Sequence, residues 1–206
     1  MNKQTGFTLI ELAIVLVIIG LLLGGVLRGQ ELINSAKVKN MATDFRGVPV
    51  FIYGYQDKFR RLPGDDASAD ANVGVTAAEV GDGNGSIGGA WDSTTVGDES
   101  VKFWLHIRKA GLAPGGVNTG VSSFFPTNSE GGRIGVSSVS PITNLAGQYY
   151  MCSESINGKF AKQLDVTMDD GTSVDGSMRA FDQAVGGPAA AAAYVDANTY
   201  TVCMAF

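Results

Sequence analysis

From Phe7 to Leu27 the chain runs 21 residues with a single ionisable side chain, Glu11. As a helix such a run is about 30 Å long, the thickness of a bilayer's hydrocarbon core, so the pattern predicts a membrane-spanning helix over 7–27. Beyond it, apolar residues return at intervals of mostly three or four: Leu32, Ile33, Ala36, Met41, Phe45, Val48, Ile52, Tyr55 and Phe59. That period predicts an amphipathic continuation over 28–61, with Pro49 kinking the helix rather than ending it because the stripe resumes beyond. Leu62-Pro63-Gly64 stops it. An unbroken helix over 7–61 is about 80 Å long, more than residues 62–206 can cover. Half of it must therefore pack against something other than its own chain.

The remainder changes character. Residues 62–100 hold eight acids and many glycines but no Lys or Arg, and read as a long loop with little regular structure. "ESVKFWLHIRKAGL" predicts a short helix with Val101, Trp104, Leu105 and Ile107 inward and Gly111 at its end. "GRIGVSSVS", "GQYYMCSES", "GSMRAF" and "TYTVCMAF" read as strands. "GKFAKQLDVTM" places Phe160, Leu164 and Met168 at i, i+4 and i+8, a helix stopped by "DDG". "PAAAAAY" is a linker or a short helical turn. The expectation is an α+β chain: a long N-terminal helix, membrane-spanning in its first half, packed on a small antiparallel sheet in a loop-rich head.

Charge divides along the same lines. Residues 28–61 carry seven basic and three acidic residues, net +4, whereas residues 62–206 carry seven and sixteen, net −9. An acidic head argues against nucleic-acid binding as a main role, because phosphate contacts need basic side chains. The basic middle segment suits anionic lipid or an acidic neighbour. The two cysteines, Cys152 and Cys203, fit neither zinc nor CxxC spacing. In an oxidising compartment they close one loop, contributing about 4 kcal/mol on the chain-entropy model; otherwise they are two buried thiols.

Catalytic signals are thin. The single histidine, His106, leaves no histidine metal cluster and little basis for a Ser/His/Asp triad. On helical spacing it falls on the polar side beside Trp104, in a solvated or packing role. No P-loop, dinucleotide fingerprint or GxSxG occurs. Trp91, Trp104, Phe124 and Phe125 read as core. The one place for ligand chemistry is "GDGNGSIGG", where Asp82, Asn84 and Ser86 alternate as oxygen ligands do at the start of an EF-hand loop. Ile87 stands at the glycine position and Ser93 at that of the bidentate glutamate. A calcium site there needs Asp65, Asp66, Asp98 or Glu99 to fold back; glycine-rich turns with Asx caps account for the same residues without metal.

Glu11 remains to be explained. A carboxylate within a span costs roughly 2.5–3.5 kcal/mol on insertion scales, and such residues mark function. No basic residue lies near it in the sequence. Cleavage between Gly6 and Phe7 creates an α-amino group, mostly protonated at neutral pH, one helical turn away. In a bundle of such helices the amine of a neighbouring copy can pair with Glu11 and set the stagger between subunits.

"KQTG" followed by "FTLIELAIVLVIIGLLLGG" resembles the class III signal of type IV pilins and of type II secretion pseudopilins. Lys3 in a short leader (residues 1–6), Gly6 before the cut, Phe7 after it and Glu11 fifth in the mature chain carry the resemblance, which covers about the first 35 residues. It implies a prepilin peptidase that cleaves after Gly6 and N-methylates Phe7. It further implies an inner-membrane assembly platform, and a helical filament of this or other pilins assembled through Glu11. "LPGDD", "GDGNG", "FWLHIRKAGL" and "MDDGTSVDGSMRA" are similar to segments of a subset of pilin-like heads. The family's paired C-terminal cysteines correspond to Cys152 and Cys203, giving a pilin-like fold with one disulfide. The proline many pilins carry near the end of the membrane stretch is absent; Gly24, Gly25 and Gly29 stand there, with Pro49 further along.

These expectations describe a non-enzymatic filament subunit. It would be single-pass in the inner membrane with its head (62–206) periplasmic, then part of a pilus or periplasmic pseudopilus. The competing expectation is a membrane-anchored periplasmic calcium-binding or enzymatic domain using the helix only as an anchor. The positive-inside rule does not favour the periplasmic head, since Arg28, Lys37 and Lys39 follow the span. The processing motif and the cysteine pair outweigh it.

Overall fold

A computed structural model describes residues 9–187, 189–191 and 193–206. The chain divides into two compact units, residues 1–37 and 38–206. A single helix, α1 (Leu9–Phe59), runs across that division and through Pro49 without interruption. In the first unit the apolar side chains are exposed, from Leu9 at 89% through Ile19 at 46% to Leu27 at 64%. In the second unit the predicted stripe is a core face: Met41, Phe45, Val48, Ile52 and Tyr55 are buried, joined by Val38 and Ala42. Leu32 and Ile33, which continue the stripe in sequence, are exposed. The helix ends where Arg60 turns to positive φ, three residues before Pro63.

The second unit contains α2 (Ala69–Val73), α3 (Glu99–Lys109), a 3-10 turn at Ser122–Phe124, β1 (Ile134–Ser137), β2 (Tyr150–Asn157), α4 (Gly158–Met168), β3 (Met178–Asp182) and β4 (Thr199–Ala205). Every predicted strand and helix of the head is present. The expected loop over 62–100 contains the one-turn α2 and, at its end, the first residues of α3. The alanine run forms neither helix nor strand among its described residues; Pro188 and Ala192 lie outside them.

The four strands form one antiparallel sheet in the order β1-β2-β4-β3. The C-terminal strand is therefore central, while β3, which precedes it in the chain, lies at the edge. Strand alternation sorts the two sheet faces. Met151, Ile156, Tyr200 and Val202 join the main core with α1, α3 and α4. Tyr150, Cys152, Cys203 and Ala205 join a smaller cluster under Trp91, Ile142 and Leu145. Cys152 stands directly opposite Cys203 in the β2–β4 register, and the two form the disulfide. On β1 the backbone passes so close to Trp91 that a Cβ on Gly135 would lie 1.9 Å from the Trp91 carbonyl oxygen, so only glycine fits there.

Candidate functional site

Gly6 and Phe7, the predicted cleavage and methylation positions, lie outside the described residues. Glu11 lies at the start of the described part of α1. Around it Leu9, Ile10, Leu12, Ile14 and Val15 are all at least half exposed. Gly20, Gly24, Gly25 and Gly29 follow on the same helix, and a Cβ on any of them would meet nothing of its own chain. Each glycine costs a helix interior roughly 1 kcal/mol relative to alanine, and no contact within the described chain requires it.

The acidic segment is an ordered structure. Just past α1, Asp66 is fully buried, and its carboxylate accepts from the Tyr55 hydroxyl (2.8 Å), the Ser68 N–H and the Asn72 side chain. Asp65 accepts from the N–H groups of Asn84 (2.9 Å) and Gly85 (2.8 Å), and Glu99, at the start of α3, from those of Asp82 (3.0 Å) and Gly88 (2.8 Å). Gly81 is the pivot: a Cβ there would lie 2.2 Å from the Asp65 backbone. These bonds bring carboxylate oxygens of Asp65, Asp82 and Glu99 within 4.8 Å of one another. Burial, reinforced by Asp82 and Glu99, holds the Asp65 carboxyl above its ordinary range despite its two backbone donors.

Of the three positions that spacing singled out, only Asp82 belongs to this group. Asn84 uses its carboxamide within the turn, donating to Asp82 and accepting from the Ser86 N–H, and Ser86 is exposed. Asp65 and Glu99 take the remaining places, as the fold-back alternative required. A second cluster joins Asp165, within the predicted helix, to Asp169 and Asp170, the acids of its predicted stop. There Asp165 accepts from Tyr194 (2.5 Å) and the Gly171 N–H, and Asp169 from the Met178 N–H, so the group ties the end of α4 to its turn.

Of the solvated and packing roles that the sequence left open for His106, the structure shows packing: the ring is fully buried. Its Nδ1 accepts from the Gly64 N–H (2.9 Å), so the proton sits on Nε2, which donates to the Glu79 carbonyl (2.8 Å). The ring thus clamps Gly64 at the start of the acidic segment and Glu79 near its middle to α3, and burial lowers its pKa. The unfolded chain protonates His106 near pH 6.5 while the folded chain resists, so this contribution is complete above that pH and is lost as pH falls below it. Asp44, Asp65 and Asp165, with raised pKa values, act in the opposite sense. Denaturant stability measured from pH 7.5 to 5 should therefore differ in slope between wild type and His106→Gln, by up to about 1.4 kcal/mol per pH unit. Parallel curves would disprove the clamp.

Among the described residues, α1 contains a segment long and apolar enough to cross a membrane, and none of that segment is buried. Neither comparison with curated proteins nor comparison with solved structures found a match. The comparison with family models did: residues 1–27 match the prokaryotic N-terminal methylation motif. This is the stretch holding Lys3, Gly6, Phe7, Glu11 and the apolar run, and by it the chain carries the class III signal of type IV pilins and pseudopilins.

Proposed function

We propose that the chain is a structural subunit of a type IV pilus or a type II secretion pseudopilus, with no catalytic role. In this reading prepilin peptidase cuts after Gly6 and methylates Phe7, and Glu11 pairs with the new amine of a neighbour. The head is periplasmic before assembly. The observation that carries it is the conjunction of the methylation motif with an apolar helix surface left uncovered from Leu9 to Leu27. A bilayer covers that surface before assembly and neighbouring helices cover it afterwards. The glycines at 20, 24, 25 and 29 suit close approach of a neighbour. An anchor alone explains neither them nor Glu11. The test is intact-mass analysis of protein from cells with a prepilin peptidase. Loss of residues 1–6 with a methylated Phe7 is expected; an intact Met1 terminus, or cleavage after Leu27, refutes the reading.

A second reading, of the head, is favoured by the convergence of Asp65, Asp82 and Glu99. Three carboxylates this close repel one another, and a divalent cation offers the compensating charge. We propose that they hold calcium weakly, with affinity of the order of 10⁻⁴–10⁻³ M as in extracellular modules. The full chain should melt higher in millimolar calcium than in chelator, and Asp82→Ala should abolish the difference. Equal melting temperatures in both buffers would leave the loop a hydrogen-bonded connection.

A further inference from the structure

Asn84, which the carboxylate group of the acidic segment leaves out, stands in a pattern of its own. Asp82-Gly83-Asn84-Gly85-Ser86 places a hydroxyl two residues after an asparagine, the N-x-Ser/Thr acceptor of N-glycosylation. It also places a carboxylate two residues before that asparagine, which completes the longer acceptor, acid-x-Asn-x-Ser/Thr, of bacterial N-glycosylation. Of the chain's ten asparagines only Asn84 has Ser or Thr two residues on. The fold presents this stretch to solvent. All five residues, 82–86, are exposed, and a Cβ on Gly85 would meet nothing within 4 Å. The backbone N–H groups of Asn84 and Gly85 both donate to Asp65 (2.9 and 2.8 Å), which holds the inner side of the turn to the head. The Asn84 side-chain oxygen accepts from the Ser86 N–H (2.8 Å), and Nδ2 donates one hydrogen to Asp82 (2.8 Å). The second hydrogen on Nδ2 and the Ser86 hydroxyl have no partner among the described residues.

We propose that Asn84 is a site of N-glycosylation, with an oligosaccharide carried on a lipid pyrophosphate as co-substrate. Nδ2 bonds to the anomeric carbon of the sugar, and the bond from that carbon to the pyrophosphate oxygen breaks. The pyrophosphate leaves with the bonding pair, and the amide gives up one proton. One N–H remains on Nδ2, so the bond to Asp82 and the bond from Ser86 both survive. The folded turn therefore carries the sugar without rearrangement, and a bulky polar chain suits an exposed loop. Asn84 lies outside the group formed by Asp65, Asp82 and Glu99, so the sugar takes none of their oxygens. The proposal rests on the filament reading for one point, the periplasmic head, where the lipid-linked sugar is transferred.

Residues 62–101 hold no Lys or Arg, so trypsin releases Asn84 in one peptide, 62–102. The full chain is produced in bacterial cells that carry a prepilin peptidase, an oligosaccharyltransferase of the acid-requiring class and its lipid-linked oligosaccharide. Mass spectrometry reads the 62–102 peptide, and a map without reductant reads the two cysteines in the same sample. Wild type should carry the oligosaccharide on Asn84. Asn84→Gln, Ser86→Ala and Asp82→Asn should each leave the peptide bare, while the conservative Ser86→Thr and Asp82→Glu should keep the sugar. A bare wild-type peptide beside joined cysteines would overturn this proposal and leave the filament reading standing. A bare peptide beside free thiols would overturn it together with the periplasmic head. Sugar on a residue other than Asn84, or Asp82→Asn glycosylated like wild type, would also overturn it.

Discussion

Glu11→Val should leave processing of the chain intact and abolish its incorporation into filaments. The substitution removes a carboxylate whose place in the apolar segment costs roughly 2.5–3.5 kcal/mol, so insertion and cleavage become no harder. What is lost, on the proposed assembly, is the pairing with the amine that cleavage creates on a neighbouring copy. A methylated Phe7 remains basic and mostly protonated at neutral pH, so each new subunit brings a positive charge into the apolar bundle. Without Glu11 that charge has no counter-ion, and the stagger between helices has no electrostatic register. Glu11→Gln separates the two effects: it keeps a hydrogen-bond acceptor without charge and should assemble poorly but measurably. The assay compares sheared surface or periplasmic filament fractions with the membrane pool of mature subunit. Wild-type filament yield from Glu11→Val would show that the apolar helix alone sets the stagger.

Breaking the disulfide should be the most destabilising single change in the head. Cys152 and Cys203 are fully buried at facing positions of β2 and β4, separated by 51 residues of chain. The bridge joins the two central strands of the sheet, β2 and β4. Cys203→Ser should cost about 2–5 kcal/mol. For a chain of this size that lowers the melting temperature by about 4–20 °C. Cys152→Ser should cost a similar amount, and the double variant little more than either, because all three remove one bond. Peptide maps without reductant should show the two cysteines joined. Free thiols in periplasm-derived protein, or melting unchanged by reductant, would contradict this.

Which parts of this were legible depends on the range of the interactions involved. The helix over 9–59, the strands around Val136, Met151, Ala180 and Val202, and α4 follow from apolar spacing within a dozen residues, and each appears where that spacing put it. The stripe of α1 is a core face from Val38 onward, while Leu32 and Ile33 of the same stripe are exposed. For His106 the choice between a solvated and a packing role also lay beyond the local pattern. The period of α3 assigns it a polar face, but the acidic segment folds over that face at Gly64 and Glu79 and buries His106. In the acidic loop the alternating Asp82, Asn84 and Ser86 were visible, but alternation within a loop does not say where the side chains point.

The sequence by itself therefore determined what rests on contiguous residues. These are the processing motif over 1–27, the unbroken apolar helix, and the number and kinds of elements in the head. Only the tertiary structure decided that Asp65 and Glu99, 34 residues apart, close on Asp82, that His106 clamps Gly64 to Glu79, and that β4 enters the middle of the sheet beside β2. The physical reason is that helix and strand patterns record which side of a residue meets water. The meeting of distant carboxylates, ring nitrogens and strands depends on how long loops close, and loop-closure entropy varies too slowly with length to name the partner.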